Sequence, residues 1–471
     1  MLPDLTHLSV FLAAGGGHHD VPLSTTLGFA GLLAAMIACL ALEEKIHAKK
    51  SIIVGLFAVV ALAAGTAFHL LPFGAVTNVF GEELHLPVYI PAIDWGVIAI
   101  ILGSSLFVDV TSRSGLFTWI AIKLTKKSGG DPFKLLTAYG VMTVVFSAVL
   151  NNVTAMIIVG SLTAVSLDRL GRREKLLGFL LIEGLLTNIG GLLTLISSVP
   201  NIIVGNAAGI SFVDFFMKSS PFVVVATALT IFMGAKLFGI TGLKTEEEKA
   251  EAAELVRGFD ENDGLESRGF FWFGAIMTVL FIATIAGASV LPVVKDLGLG
   301  FVALAFAAIM LIRFKAVADK FYQAIDWDLL GFFAALFVVI NVMEHAQVLT
   351  LIGKGLEKII DLGPALGTGA VLLAAAFFSS VTDNIPLAAM LAKILQSLGT
   401  PTDSALWWSV VFGANLGGNL TPIGSASTLV AVTIIHKNKL KLSFADFVVK
   451  ALPYALAQIA LATAYVLLFL R

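Results

Sequence analysis

Two stretches decide the fold: Leu150-Asn151-Asn152-Val153-Thr154 and Thr382-Asp383-Asn384-Ile385-Pro386. Each interrupts an apolar run, 134–167 in the first case and 364–398 in the second. Runs of that length are awkward for one membrane span and short for two, at about 20 residues per span. An unpaired polar side chain in such a run is expensive and therefore usually functional. A re-entrant hairpin fits both: two helices meet at a polar tip that faces protein or water rather than lipid. The stretches are also one element met twice. Asp94, in an Ile-Asp-Trp triplet, precedes Asn151 by 57 positions, and Asp326, in a second such triplet, precedes Asp383 by 57.

The rest of the chain agrees with a membrane setting. Of 471 residues 58% are hydrophobic and 13% charged, with a mean hydropathy of +0.95, so helical spans are expected. Apolar segments long enough to cross occur near 22–42, 51–71, 93–111, 176–199, 221–239, 270–290, 299–314, 328–348, 404–435 and 451–470. The net charge of −2 argues against a nucleic-acid partner. The single cysteine, Cys39, excludes an internal disulfide and a cysteine-based metal site, and reads as a small buried residue. The apolar run from Leu8 to Ala14 lacks a basic n-region, so no cleaved signal peptide is expected. His18-His19-Asp20 reads as a solvated tail. Neither His-Glu-x-x-His nor Gly-x-Ser-x-Gly occurs, and no enzyme is expected.

Charge sets the topology. Basic residues cluster at Lys45/Lys49/Lys50, Lys123/Lys126/Lys127/Lys134, Arg169/Arg172/Arg173/Lys175, Arg313/Lys315/Lys320 and Lys437/Lys439/Lys441. With the N-terminus outside, all five clusters fall in the cytoplasm, provided that 134–167 enters and leaves on that side. The 364–398 hairpin then opens from the outside. The chain divides into an extracytoplasmic tail (1–21), a first repeat (22–239), an acidic cytoplasmic linker (240–269) and a second repeat (270–471). The linker reads as solvated, with some helix. Five spans is an odd number, so the second repeat is inverted. The 232-residue offset of the triplets and tips is joined by one of 227, which aligns Asn188-Ile189-Gly190-Gly191 with Asn415-Leu416-Gly417-Gly418. One length difference in a connection accounts for the shift. The expectation is an all-α integral membrane protein of two inverted repeats, each about five spans plus a re-entrant hairpin, with broken helices at the site. Inverted repeats of this kind place a transport site at their interface near the midplane.

Four polar breaks converge there: the two tips, and the Gly- and Pro-rich interruptions near Gly190, Gly191 and Pro200 and near Gly413, Gly417, Gly418, Pro422 and Gly424. A broken helix exposes carbonyls, which suit a cation, and amide groups, which suit an anion. Ser197, Ser198, Asn201, Thr421, Ser425, Ser427 and Thr428 add neutral oxygens, the ligands a weakly held Na+ needs. Asp383 lies among Phe377, Phe378, Ile385 and Leu387, where an ionised carboxylate is costly unless paired. It can alternate between a proton and a metal ion, or simply cap a helix. Glu183 is a second candidate proton carrier in an apolar span. Asp109 and Arg113 read as a helical i,i+4 ion pair, and Asp94 and Asp326 as interfacial residues. No Lys or Arg lies near the breaks in sequence, Lys393 being nearest, which favours a cation or proton site.

These motifs, with "LNNVTA", "TNIGGLLTLISSVPNIIVG", "TDNIPLAAM" and "GANLGGNLTPIGSAST", resemble the ion transporter superfamily. Within it the chain is most similar to the ArsB/NhaD group and P-protein-type permeases, with citrate transporters further off. The likeness runs from about residue 90 to 460. It implies one site at Asn151, Asn152 and Thr154 with Ser197, Ser198 and Asn201, and a second at Asp383 and Asn384 with Thr421, Ser425 and Thr428. Asn188, Asn415 and Ser427 join them as candidate binding residues, and Asp383, Asn384 and Ser425 are expected to hold a transient Na+. Two departures stand out. Asn151 replaces the aspartate of many antiporters, and "ISSVPN" replaces the usual Gly-Asp or Gly-Thr. Members of the superfamily move Na+ against H+, arsenite, silicic acid or carboxylates; the expectation here is a plasma-membrane Na+/H+ antiporter with no cofactor and a small ion as substrate, and the resemblance suggests a homodimer. The alternative is a permease for an arsenite-like oxyanion or a carboxylate.

Overall fold

The computed structural model describes residues 21–77 and 80–470. His18-His19-Asp20 and the run from Leu8 to Ala14 lie outside them. Helices follow the apolar runs. α1 (Leu23–Ala41) and α3 (Lys50–Ala67) cross in turn, joined through the single turn α2 (Glu43–Ile46). The connection to α4 (Trp95–Arg113) carries a two-residue ladder, β1 (Val76–Thr77) antiparallel to β2 (Glu83–Leu84). After α4 come α5 (Leu116–Ser128), the hairpin α6 (Pro132–Val149) and α7 (Asn152–Arg169), the broken span α8 (Leu176–Gly190) with α9 (Val199–Ala208), and α10 (Phe212–Leu237). α11 (Glu246–Arg257) occupies the linker.

The second half repeats this order. It runs α12 (Arg268–Ala286), α13 (Pro292–Ile312), the short α14 (Asp319–Ala324), α15 (Trp327–His345) and α16 (Val348–Ile360). The hairpin α17 (Leu366–Val381) and α18 (Asn384–Ser397) follows, then the broken span α19 (Ala405–Gly417) with α20 (Ala426–Lys437), and α21 (Phe444–Phe469). Among the described residues nine helices are long and apolar enough to cross a membrane. They are eight unbroken spans and α6, the first arm of a hairpin. The two broken spans cross in two pieces each.

The repeat is closer than the sequence matches alone indicate. α4 and α15, α5 and α16, and α10 and α21 are pairwise 232 positions apart and equal in length. Asp94 caps α4 through the Val97 amide (3.1 Å), and Asp326 caps α15 through the Leu329 amide (2.9 Å). Pro221 lies within α10 and Pro453 at the matching place in α21. The 227 offset is therefore confined to the broken spans, and a second, compensating length difference restores 232. Lys123, Lys126 and Lys127 of the second basic cluster lie on α5, a helix that the apolar runs did not indicate, and α16 is its counterpart. Too short to cross, each starts from a left-handed residue, Gly115 (φ 81°) or Gln347 (φ 58°), that turns the chain out of the preceding span.

The halves exchange partners. α13 packs on α4 and α3 on α15, so each half's second span lies against the other half's third. The α4–α13 crossing is close enough that a Cβ on Gly103 would sit 2.4 Å from the Ala303 carbonyl carbon. Backbone cannot yield there. Gly103→Ala is expected to destabilise the protein by about 2–3 kcal/mol, as overpacking does. Gly28→Ala, which meets nothing within 4 Å, should be neutral or better. Thermal unfolding in detergent compares the two.

The linker is docked rather than only solvated. Asp131 accepts from the Leu243 amide (2.9 Å), and Arg313 pairs with Glu266 (3.0 Å). Lys126 and Lys123 both grip Glu261 and hold its carboxyl down to about 2. A lowered value means that this contact stands above the ordinary carboxylate range and is lost only as pH falls through about 2. Arg173 donates to Asn438 O (3.1 Å) and Lys175 to Gly239 O (3.2 Å). These contacts gather four of the five basic clusters at one end of the bundle. The fifth joins them through Ser51, which bonds Asp328 at the start of α15.

Candidate functional site

Both hairpin tips are helix N-termini. Asn151 accepts from the Thr154 amide (2.8 Å) and Asp383 from the Ile385 amide (3.0 Å), each satisfying a donor that the first turn leaves orphaned. Each hairpin is then fastened to the break of its own half by a matching pair of bonds. Ser147 donates to Thr187 O (2.7 Å) and Thr194 to Ala148 O (2.6 Å). In the other half Ser379 donates to Ala414 O (2.6 Å) and Thr421 to Ser380 O (2.5 Å). Glycine permits the approach: a Cβ on Gly417 would lie 2.3 Å from Ala376 O, and one on Gly190 2.7 Å from Val144 O. Thr421, expected as a ligand, thus spends its hydroxyl on the hairpin backbone.

The two breaks lock into each other crosswise. Asn188 of the first half donates to Ser425 (2.9 Å) and Asn419 (2.8 Å), and accepts from Ser427 (3.0 Å). Asn415, its counterpart, accepts from Ser198 (2.7 Å) and donates to Asn201 (2.8 Å). Carbonyls freed by the breaks are covered from within. Ser197 and Asn201 donate to Gly191 O and Thr194 O, and Thr428 bonds Ser425 O (2.8 Å). All of these side chains are buried. Asn152 joins them by donating to Asn188 (3.5 Å), accepts from Ser147 (2.6 Å), and its side chain fills the place that a Cβ on Gly191 would take. The knot continues from Asn419 to Gln458 (2.8 Å) and on to Thr230 (2.9 Å). Asn419, Gln458 and Thr230 were missed in the sequence; Asn419 stood beside the quoted Gly-Gly, while nothing local marked the other two.

One cavity reaches this knot. It has a volume of about 320 Å³ and opens beside the second tip, at the basic end of the bundle. Glu43, Lys45, Lys50, Thr382, Asp383 and Ser425 are among its walls. Asn384 is buried but does not line it. Here the expectation of a site without nearby base is overturned. Lys50 Nζ, 333 positions from Asp383 in sequence, lies 2.6 Å from its Oδ2 and 3.8 Å from Glu43. The lysine was counted with a loop cluster; the packing of α3 on α15 carries it to the tip of the second hairpin. Lys393, nearest in sequence, pairs instead with Glu344 (3.3 Å).

Glu183 stands apart from the knot, on the flank of α8 that meets α7. Its Oε1 accepts from Thr163 (2.6 Å); its Oε2 is buried with no partner. Asn151 and Thr154 bond only within their own tip. The structure thus brings Asn152, Asn188, Ser425, Ser427 and Thr428 into one hydrogen-bonded cluster and Ser198, Asn201 and Asn415 into a second, each crossing between the halves, and sets Asp383 and Ser425 on the open side of the first.

A family profile described as "Citrate transporter" (CitMHS) matches residues 37–412. The chain belongs to the CitMHS family. Relatives include an uncharacterized transporter of Mycobacterium bovis, 30% identical over 380 residues that make up 79% of this chain and 86% of that one. The P protein of Homo sapiens is 24% identical, covering 83% of this chain and 56% of that protein. Among solved structures the Alcanivorax borkumensis YdaH transporter aligns with a TM-score of 0.59 at 13% identity, over 89% of this chain and 98% of that one. Neisseria gonorrhoeae MtrF aligns at 0.55 and 15%, over 90% and 95%. At such identity the likeness is one of fold. This CitMHS member is a multi-pass secondary transporter of the ion transporter superfamily.

Proposed function

We propose that this transporter exchanges Na+ for H+ across the plasma membrane by alternating access. The observation that carries the reading is Asp383: a largely buried carboxylate at the tip of a hairpin, facing an open cavity and already paired with a cation. A group in that position can hold a proton, a metal ion or an ammonium, one at a time. Thr382, Ser425 and the carbonyls at the second break supply neutral oxygens beside it. The buried carboxyl of Glu183 carries a second proton. Rocking of the hairpin-bearing units against the other spans changes the side to which the tip is open. Purified protein in proteoliposomes loaded with a pH-sensitive dye tests this. Adding Na+ outside should discharge an imposed proton gradient, and K+ or choline should not; equal responses to all three end the proposal.

A second reading is favoured by one observation. Lys50 in the cavity gives an anion a counter-charge, and a volume of about 320 Å³ has room for a small carboxylate. Labelled citrate uptake under the same gradients separates the readings: saturable uptake without Na+-driven proton release favours this one.

A further inference from the structure

Two lysines, Lys45 and Lys50, line the cavity; Lys50 is the one paired with Asp383, and more than one anion is within its reach. Lys50 Nζ is 2.6 Å from Asp383 and 3.8 Å from Glu43, and Asp328 at the start of α15 adds its field. Asp328 itself is engaged by the Ser51 amide and hydroxyl, which leaves Asp383 and Glu43 as the two ends of the lysine's reach. The three side chains are between 12% and 25% exposed, so the pair is wet enough to open and dry enough for its charges to count.

The inverted repeat supplies an independent argument. A Cβ on Gly331 would meet Ser51, and a Cβ on Gly300 would meet Ala99, 232 positions before Gly331. Ser51 therefore corresponds to Gly300, and Lys50 to Leu299. At the second tip Asp383 pairs with Lys50; in the first half the positions that correspond to them are neutral Asn151 and apolar Leu299. Acid and base are present together at one tip and absent together at the other. That is the pattern of a single functional unit rather than of two surface charges.

We infer that Lys50 is the resident cation of the Asp383 site. It occupies the carboxylate when no transported cation is bound, and swings to Glu43 when one arrives. Coordination of an incoming cation by Asp383 and displacement of the ammonium to Glu43 are one exchange, after which each of the two carboxylates has a cation of its own. Glu43 keeps the released lysine from standing unpaired, a situation that penalises partly buried charges heavily. The inference rests on the proposed Na+/H+ reading and names the competitor that sets its apparent Na+ affinity.

Two substitutions should move that affinity in opposite directions. Lys50→Met removes the competitor, and the Na+ concentration for half-maximal exchange should fall at least about fivefold. Glu43→Gln removes the acceptor, and the same concentration should rise by a similar factor. Lys50→Arg keeps a competing cation and should lie near wild type. A readout on wild-type protein needs no variant: acylation of Lys50 by an amine reagent, followed by mass spectrometry of the peptide. Na+ should raise Lys50 labelling relative to choline, and Asp383→Asn should raise it without Na+. Exchange that is intact in wild type but equally sensitive to Na+ in all variants, with labelling indifferent to Na+, overturns the inference and leaves the Na+/H+ reading standing. Absence of Na+-driven exchange in wild type removes both. Protection of Lys50 by citrate instead of exposure by Na+ also overturns the inference, since the lysine would then be a substrate ligand.

Discussion

Asp383→Asn is expected to reduce Na+-driven proton release in proteoliposomes to the level of protein-free vesicles, with the fold retained. Asparagine is as good an N-cap as aspartate, so the first turn of α18 keeps its bond to the Ile385 amide. What disappears is the charge. Neither a proton nor Na+ can then be held in alternation, and Lys50 loses its nearest anion. Breaking a fully buried pair destabilises by about 3–5 kcal/mol. With the Lys50 side chain 25% exposed and Glu43 at 3.8 Å, about 1–2 kcal/mol is the expected loss. Thermal unfolding in detergent checks that the variant is folded, and dye-loaded vesicles check the transport. Full exchange in a folded Asp383→Asn protein would remove this residue from the mechanism and reduce it to a helix cap.

Glu183 gives the second large effect, with stability and transport moving apart. The carboxyl is fully buried, with Thr163 on one oxygen and nothing on the other. An orphaned buried oxygen costs about 1–3 kcal/mol, so Glu183→Leu should leave unfolding temperature unchanged or raise it. The same change should depress exchange by about tenfold or more if the residue carries a proton, since one of two buried carriers is gone. Glu183→Gln keeps the shape and the Thr163 bond, and should lose transport to the same extent while flattening its pH dependence between the two sides. A variant that unfolds early yet transports normally would assign Glu183 to packing alone.

Much of this architecture could be read from the residues. The paired triplets, the tips and the Gly-rich breaks are covalent facts, and a fixed offset between them survives any uncertainty about where helices end. Ten crossings followed from apolar runs because lipid demands that every backbone group be satisfied within its own helix. The short helices α5 and α16 were not legible. They are amphipathic and too short to cross, so apolar runs long enough to span a membrane do not mark them. The match of Ser211-Phe212-Val213-Asp214-Phe215 with Ser443-Phe444-Ala445-Asp446-Phe447 was in plain view and would have returned the offset to 232.

The site was legible in kind and not in wiring. Composition named the polar groups but could not say that the Thr421 and Ser197 hydroxyls and the Asn201 amide nitrogen turn on freed carbonyls, nor that Asn188 and Asn415 cross between halves. Those choices depend on which backbone groups a break leaves bare, and that is fixed only when the two halves meet. Lys50 shows the limit most clearly. By sequence it belonged to a cytoplasmic loop, 333 positions from Asp383. The exchange of second spans between repeats brings its charge to the tip, because a sequence records local periodicity while an ion pair is decided by how close two helices pack. The sequence by itself determined two inverted halves, two polar tips and one ionisable tip residue. Only the tertiary structure decided that the ionisable tip already has a cation, because only packing sets the distance across which that attraction acts.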